Sequence, residues 1–347
     1  MFLRGERAPR LHQTMNINPV PRHCCCWWFA LALALNTSAA ASAAWERLAP
    51  LPVGNGGFVG AAIAGEIVVA GGTTWQGDTK TWLDRIWAYD PARNTWRTAG
   101  RLAAPVAYAV TGQTGGAWWF AGGSSGTATN QSLWKLEAGL LPRLVAPLDR
   151  GFVYAAGALL GSTLYVVGGT EDQAKLDRLT NTFLAIDIET GSTTRLADYP
   201  EPGIATGTAA VAGGRLCVFG GARWNPATET VVNQAAAHAY SPAKKRWETL
   251  PPLPHPGRGL TAVALDERHI FIAGGYRNDE VEFVTAAFVF TVETGVYVPT
   301  TPLPYAAMVS LVRSGDWLYC LGGEDRKKHR TDAVFRIKWA ELLPFRR

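Results

Sequence analysis

A carboxylate and a guanidinium lie six positions apart near the C-terminal end of the chain. Glu324 directly follows the doublet Gly322-Gly323, and Arg330 precedes the apolar segment 333–335. A carboxylate can act as a general base, and the planar guanidinium can bind an anionic group through two parallel hydrogen bonds. We expect the two side chains to face each other across a short loop. A solvated charged loop explains the same residues, since most short charge-rich runs face solvent.

The glycine doublet before Glu324 is the last of six in the chain. Each doublet follows a short run of apolar β-forming residues, and successive doublets are 51, 46, 52, 54 and 48 residues apart. They are Gly71-Gly72, Gly122-Gly123, Gly168-Gly169, Gly220-Gly221, Gly274-Gly275 and Gly322-Gly323. A period of about 50 residues is typical of kelch repeats, each of which forms one four-stranded blade of a β-propeller. We predict that the doublet glycines adopt φ > 0 and allow close packing.

The two ends of the repeat region predict how the ring closes. Residues 45–52 match residues 247–254, the outer strand of a blade, yet they precede the first doublet. The last repeat ends after its third strand, residues 332–337. We therefore predict an all-β fold, a six-bladed kelch β-propeller forming a single domain over residues 44–347. The N-terminal strand completes the last blade of this ring and protects its edges.

Composition and charge exclude several classes of protein. The chain has 347 residues, 48% hydrophobic and 18% charged, which excludes disorder, and its long apolar runs are too few for a polytopic membrane protein. The net charge is +5, of which residues 1–43 contribute +3. The remaining charge is small and evenly spread, so we expect no nucleic-acid partner.

The first 43 residues have the pattern of a secretory signal. The apolar run 27–35 is followed by small residues that end in Ala41-Ser42-Ala43. We predict that residues 1–43 are a signal peptide that is removed, with Met1 or Met15 as the start. The protein is then exported, periplasmic or extracellular, and has no stable membrane insertion after cleavage.

One segment carries a specific resemblance. Gly323-Glu324, five residues and then Arg330-Thr331-Asp332-Ala333-Val334-Phe335 resemble, at identical spacing, the catalytic blade of the bacterial kelch-type N-acetylneuraminate (sialic acid) mutarotases, also called epimerases. Because this blade is last here, the order resembles the cyclically permuted branch of that family. Residues 71–75 and 80–85 are similar to the first blade of that branch. The loop interior, residues 325–328, departs from the family pattern.

The resemblance implies an exported mutarotase that interconverts the α and β anomers of a keto sugar acid by general acid/base catalysis. It gives Glu324 the role of general base and makes Arg330 the binder of the substrate carboxylate. It implies no cofactor. We also predict no metal site, since the histidines of residues 44–347 are dispersed over different blades and standard metal motifs are missing.

Further residues stand just before or at the start of the inner strands in five repeats, and they are Asn55, Tyr108, Arg150, Arg258 and Tyr305. They are candidates for substrate binding at the channel mouth, or else they hydrogen-bond neighbouring blades. Trp75 and Trp82 are candidates for an apolar face against a sugar ring, or for packing. Cys217 and Cys320 lie on inner strands of different blades, so we predict two free buried thiols.

Two rival functions stay open. One is a non-catalytic kelch propeller that binds a glycan or protein partner at the channel mouth. The other is an enzyme with the same site acting on a neutral sugar. The expected ligand of the leading hypothesis is a small acidic sugar, sialic acid or similar, and the sequence leaves the oligomeric state open.

Overall fold

The computed structural model describes residues 44–343, and these fold into six four-stranded antiparallel sheets. The predicted signal peptide, residues 1–43, lies outside the described residues. The first strand, β1 (Glu46–Arg47), belongs to the last blade. From the innermost strand outward, blade 1 contains β2 (Val59–Ile63), β3 (Glu66–Ala70), β6 (Arg85–Asp90) and β7 (Thr95–Arg101). Blade 2 contains β8 (Val110–Thr114), β9 (Ala117–Ala121), β10 (Ser132–Leu136) and β11 (Arg143–Pro147). Blade 3 contains β12 (Ala156–Leu160), β13 (Thr163–Val167), β14 (Phe183–Asp187) and β15 (Thr193–Arg195).

The second half of the chain forms blades 4 to 6 in the same order. Blade 4 contains β16 (Thr208–Ala212), β17 (Arg215–Phe219), β20 (Ala237–Ser241) and β21 (Arg246–Thr249). Blade 5 contains β22 (Thr261–Ala264), β23 (His269–Ala273), β24 (Ala287–Thr291) and β25 (Val296–Pro299). Blade 6 contains β26 (Met308–Ser314), β27 (Trp317–Glu324), β28 (Val334–Lys338) and, as its outermost strand, β1. Each innermost strand contacts those of the two flanking blades, and β26 contacts β2. The predicted six-bladed propeller is confirmed.

The N-terminal strand closes the ring as predicted. β1 pairs antiparallel with β28, with Glu46 opposite Arg336 and Arg47 opposite Phe335. The guanidinium of Arg336 donates two hydrogen bonds, of 2.7 and 3.0 Å, to the carboxylate of Glu46. Beyond β1, the backbone N–H of Leu48 donates to Val334 O at 2.9 Å. The first strand of the chain therefore covers what is otherwise the open edge of blade 6.

The glycine doublets follow the second strand in blades 1 to 5 and lie within it, just before its last residue, in blade 6, and all twelve glycines have positive φ. The N–H of each second glycine donates to a backbone carbonyl of the next blade at 2.7–3.0 Å. A Cβ on Gly71 would lie 2.1 Å from Val106 O, so the adjacent blade leaves no room for a side chain there. The doublets thus join neighbouring blades, and only glycine combines this backbone conformation with this approach.

The hydrophobic core consists of six clusters, one between each pair of neighbouring blades. The second strands supply much of it, because their side chains are buried on both faces between adjacent sheets. Cys217 and Cys320 are both free and buried in these strands, as predicted. Burial raises the pKa of the Cys217 thiol to about 11 and that of Cys320 to about 12.

Two hairpins extend beyond the blades where the sequence predicted only variable loops. After the doublet of blade 1, β4 (Thr73–Gln76) pairs with β5 (Thr79–Trp82). After the doublet of blade 4, β18 (Ala222–Asn225) pairs with β19 (Thr230–Asn233). Short 3₁₀ turns occur at Leu176–Arg178 and Trp339–Leu342. Within residues 44–343 no helix has the length and apolar character that crossing a membrane requires.

Candidate functional site

A left-handed backbone residue precedes the innermost strand in five of the six blades. These residues, with φ of 51–69°, are Gly57, Tyr108, Tyr154, Thr206 and Gly259. Several are hydrogen-bonded around the axis, since Tyr108 N donates to Gly57 O at 2.7 Å and Thr206 N donates to Tyr154 O at 2.8 Å. In blade 6 a register shift between Met308 and Ser310 takes the place of this residue. Non-glycine residues at positive φ store strain and are found preferentially at functional sites.

These residues line a pocket of about 200 Å³ at one end of the central channel. All six blades contribute to its wall, because each innermost strand begins there. The lining includes Tyr108, Tyr154, Thr206, Met308, Ser310, Glu324 and Arg330. The pocket therefore combines two phenols, two hydroxyl side chains, one carboxylate and one guanidinium.

The pair predicted from the sequence lies in this pocket. Glu324 is the last residue of β27, and its Oε2 lies 3.0 Å from Nη1 of Arg330. The side chain of Arg330 is only 4% exposed, whereas that of Glu324 is 29% exposed. A Cβ on Gly56 would lie 2.6 Å from Cδ of Arg330, so this glycine leaves the space through which the arginine reaches the pocket.

All three nitrogens of the Arg330 guanidinium have protein partners, and Nη1 has a second one besides Glu324. Nε donates to Thr73 Oγ1 at 3.3 Å, Nη1 donates to His329 O at 3.0 Å, and Nη2 donates to Tyr108 Oη at 3.4 Å. The sequence led us to expect that the guanidinium of Arg330 is free to bind a substrate carboxylate through two parallel hydrogen bonds. Because every nitrogen already has a neighbour, an incoming carboxylate has to use the remaining N–H of Nη2 or compete with Glu324 and Tyr108.

Positive charge surrounds Tyr108. The ammonium of Lys80, on β5, lies 5.0 Å from the centroid of the Tyr108 ring and 4.8 Å from that of Trp82. Burial on its own raises the pKa of Tyr108, but the charges of Lys80 and Arg330 and the hydrogen bonds with Lys80 and Thr73 outweigh it. The pKa of this phenol is therefore lowered from its usual value.

The neighbouring phenol differs in its electrostatics. The Tyr154 ring packs 5.0 Å from that of Tyr108, at the equivalent left-handed position of the next blade. Burial, followed by the proximity of Tyr108, raises the pKa of Tyr154. The pocket thus holds two tyrosines in equivalent backbone positions whose pKa values are shifted in opposite directions.

Four other predicted residues lie away from the pocket wall. Asn55 is buried and donates from Nδ2 to Gly71 O of blade 1 at 2.9 Å, and its backbone O accepts from Gly323 N of blade 6 at 2.7 Å, which places it between these blades. Arg150 forms an ion pair with Glu171 beside blade 3. Arg258 stacks 4.3 Å from the ring centroid of Tyr276 and donates to Asn233 Oδ1 at 2.9 Å. The hydroxyl of Tyr305 donates to Gly322 O at 2.8 Å inside blade 6.

The two predicted tryptophans lie at the two ends of the blade 1 hairpin. Trp75 is on β4 and Trp82 is on β5, and both indole Nε1 atoms are buried without a hydrogen-bond partner among the described residues. The ring of Trp82 lies against Gly126 of blade 2, where a Cβ would approach it to 2.8 Å. Lys80, between them in sequence, and Thr73 at the start of β4 are the hairpin residues that reach Tyr108.

Tyr154, Thr206 and Met308 line the pocket but were not predicted. Each lies fourteen residues before the first glycine of its doublet, as Tyr108 does. Asn55, Arg150, Arg258 and Tyr305 lie sixteen to eighteen residues before theirs. Aligning the repeats on their doublets therefore identifies the pocket position, whereas a search for polar residues near the strand starts does not.

The loop between Glu324 and Arg330 is tied to blade 1. Lys328 Nζ lies 2.6 Å from Asp78 Oδ1 at the tip of the hairpin, and His329 Nδ1 lies 2.5 Å from Asp325 Oδ1. The first contact connects the last blade to the first beside the pocket, and the second lies within the loop itself. Among residues 44–343, no group of three His, Cys, Asp or Glu side chains is arranged to hold a metal ion.

Comparison with known proteins agrees with this architecture. The Kelch motif family matches residues 55–102, which span blade 1. Spermatocyte protein spe-26 of Caenorhabditis elegans is 26% identical over 194 residues, 55% of this chain and 32% of that protein. N-acetylneuraminate epimerase 1 of Escherichia coli is 24% identical over 253 residues, 60% of this chain and 64% of the epimerase. The aligned regions therefore span about a third and just under two thirds of these relatives.

A solved structure shares the fold. The structure of YjhT superposes with a TM-score of 0.65, covering 76% of this chain and 89% of that chain at 17% sequence identity. At this identity the similarity concerns the arrangement of blades. The chain is thus a six-bladed β-propeller that carries a kelch motif and has weak sequence similarity to an N-acetylneuraminate epimerase.

Proposed function

We propose that this chain is a mutarotase of acidic sugars that interconverts the α and β anomers of N-acetylneuraminate or a similar keto sugar acid. The observation that carries the proposal is the Glu324–Arg330 pair, 3.0 Å apart in a pocket on the propeller axis. The 24% identity to N-acetylneuraminate epimerase 1 supports the same class of substrate. Export, as predicted for residues 1–43, is part of the proposal.

The chemistry requires one proton to leave the anomeric hydroxyl and another to reach the ring oxygen. Glu324 is suited to the first step because its carboxylate is partly exposed to the pocket. A positioned carboxylate base accelerates such a transfer by about 10²–10⁴-fold. Loss of this proton opens the ring to a ketone, and closure on the other face of the carbonyl gives the second anomer.

Positive charge at and beside the pocket wall favours an acidic ligand. Arg330 and Lys80 both face Tyr108, and Glu324 is the carboxylate among the lining residues. A substrate carboxylate that approaches Arg330 forms charge-assisted hydrogen bonds, which are about twice as strong as neutral ones. In this arrangement the substrate carboxylate takes the remaining N–H of Nη2, while Nη1 keeps Glu324 in place to accept a proton.

The test is proton NMR of freshly dissolved α-N-acetylneuraminate with the chain beginning at residue 44. The protein is expected to accelerate the approach to anomeric equilibrium, and Glu324→Gln is expected to lower the rate by about 10²-fold or more. Binding of the sugar, measured by calorimetry, is expected to survive this change because the shape of the side chain is kept.

A matched control is Glu66→Gln. Glu66 is also a partly buried carboxylate, 26% exposed, paired with an arginine, Arg97, at 2.6 Å, but it lies on β3 away from the pocket. This variant is expected to exchange anomers at the wild-type rate. If wild-type protein binds the sugar without accelerating exchange, the chain is instead a glycan-binding propeller, the second candidate that the same pocket supports.

A further inference from the structure

Tyr108 brings a hydroxyl into the axial pocket from a strained backbone position. Its φ is 62°, and its Oη lies 3.3 Å from Thr73 Oγ1 and 3.4 Å from Nη2 of Arg330. Nη1 of the same guanidinium lies 3.0 Å from Glu324 Oε2. One arginine therefore holds a carboxylate and a phenol side by side on the pocket wall.

The groups that face Tyr108 come from three blades. Lys80 of the blade 1 hairpin lies 5.0 Å from the ring centroid, Arg330 of the blade 6 loop contacts the hydroxyl, and the Tyr154 ring of blade 3 packs 5.0 Å away. Glu324 is the nearby negative group on the wall. The two cations stabilise a negative charge on the Tyr108 oxygen, and they lower its pKa.

We propose that Tyr108 is the general acid of the anomer exchange and donates its phenolic proton to the ring oxygen while Glu324 removes the proton of the anomeric hydroxyl. The inference rests on the proposed function. It assigns a donor for the proton that reaches the ring oxygen, a role to which the sequence analysis assigned no residue. The anomeric hydroxyl and the ring oxygen are bonded to the same carbon. Glu324 and Tyr108 both contact the guanidinium of Arg330, so one can accept the proton of the hydroxyl while the other donates a proton to the ring oxygen.

The step balances without a further reactant. The anomeric O–H bond breaks, its proton moves to Glu324, and its electron pair forms the ketone carbonyl. The bond from the anomeric carbon to the ring oxygen breaks, and that oxygen takes the proton of Tyr108. Lys80 and Arg330 neutralise the phenolate that is left. Closure on the other face returns the first proton from Glu324 to the carbonyl oxygen and the second from the new ring oxygen to Tyr108.

Tyr154 lines the same pocket but is unsuited to this role. Burial raises its pKa, and the nearest phenol raises it further, so its proton is held more tightly than that of an ordinary tyrosine. A general acid works best when its pKa lies close to the working pH. The two tyrosines occupy equivalent positions in successive blades, so a Tyr154→Phe variant removes the same hydroxyl from the same backbone conformation.

The experiment compares exchange rates of N-acetylneuraminate across pH for wild type, Tyr108→Phe and Tyr154→Phe by proton NMR. Tyr108→Phe is expected to lower kcat by about 10²-fold with KM changed by less than about threefold. A general acid must be protonated, so kcat/KM of the wild type falls as pH rises through the pKa of Tyr108. This alkaline decline is expected to vanish in Tyr108→Phe and to persist in Tyr154→Phe.

A titration without substrate provides the second measurement. The ultraviolet absorbance change of phenolate formation is expected to show one tyrosine that titrates below the others, lost in Tyr108→Phe and retained in Tyr154→Phe. Lys80→Met removes one cation at similar length, so it is expected to move this titration and the alkaline decline of kcat/KM to higher pH.

Three results overturn the proposal. If Tyr108→Phe exchanges anomers within threefold of wild type while Glu324→Gln is inactive, the mutarotase function stands and the ring oxygen obtains its proton elsewhere. If both tyrosine variants lose activity equally and keep the alkaline decline, Tyr108 has a packing role. If wild type does not accelerate exchange, the inference and the proposed function fail together.

Discussion

At the scale of single residues, the sequence indicated the charged pair because a carboxylate follows a glycine doublet and an arginine follows six positions later. The pocket indeed contains Glu324 and Arg330, together with Tyr108 from the predicted binding residues. Asn55, Arg258 and Tyr305 instead satisfy carbonyl, aromatic or amide partners between and within blades. The polarity of a residue alone could not distinguish those that line the pocket from those that bond within and between blades. A buried strand end needs hydrogen-bonding side chains whether or not a ligand is present.

Arg330→Lys tests whether the guanidinium recognises an acid. Lysine keeps the charge but loses the planar fork and the contacts of Arg330 with Thr73 and Tyr108. The dissociation constant of N-acetylneuraminate is expected to rise by about 10-fold or more, since a charge-assisted hydrogen bond contributes about 1.5–3 kcal/mol.

The uncharged methyl ester of the same sugar serves as the matched ligand, and its affinity, measured by calorimetry, is expected to change by less than about threefold. The surface substitution Arg97→Lys is the control for loss of an arginine ion pair. An equal loss of affinity for acid and ester contradicts recognition of the carboxylate by Arg330.

At the scale of the elements, the repeat predicted the blades well because each glycine doublet marks a position where positive φ and contact with the next blade require glycine. The third strand of blade 6 was expected at residues 332–337 and is Val334–Lys338. The hairpins of blades 1 and 4 were missed, since their sequences lack a strong alternation of apolar and polar residues. Lys80 went unrecognised for this reason, because its position depends on the hairpin.

The contribution of the doublets to the joining of blades can be measured with Gly71→Ala. Alanine at φ +67° is strained by about 1–2 kcal/mol. Its Cβ would also meet Val106 O at 2.1 Å, and relieving such a clash costs about 1–3 kcal/mol more. We expect the free energy of unfolding, measured by urea denaturation, to fall by about 3 kcal/mol.

Gly77→Ala is the matched control, since Gly77 has φ +57° in the hairpin turn and no atom lies within 4 Å of a Cβ there. Only the backbone strain of about 1–2 kcal/mol is expected for this variant. Equal destabilisation of the two variants would show that the contact between blades is not what requires glycine at position 71.

At the scale of the whole molecule, closure of the ring depends on a strand of two residues. β1 adds little pairing of its own, but the segment that follows it places Leu48 and Leu51 in the cluster between blades 6 and 1. The closure was predictable because residues 45–52 repeat the outer-strand pattern of residues 247–254. The pocket was not, because it arises only when six loops from distant parts of the chain meet on one axis.

Removal of residues 44–52 tests this closure. The truncated chain, residues 53–347, loses two buried leucines that contribute about 1.5–3 kcal/mol each, and it exposes the edge of β28. We expect Tm to fall by about 10 °C relative to residues 44–347, and the protein to associate on size-exclusion chromatography.

Glu46→Ala in residues 44–347 is the control, because it removes only a half-exposed ion pair with Arg336, worth at most about 1 kcal/mol. It is expected to shift Tm by no more than about 3 °C. A truncated chain that has the stability and the oligomeric state of the control would show that blade 6 does not need its fourth strand.

The pairing of β1 with β28 also imposes an order on biosynthesis. Of the propeller strands, β1 leaves the ribosome first and β28 last, so β1 has no partner while the strands of the first five blades emerge. Glu324 and Arg330 also emerge after the first five blades, so the space beside Gly56 is not filled by the arginine side chain until then. A product that stops before Arg330 therefore lacks part of the pocket wall, and ligand binding reports that synthesis has passed this residue.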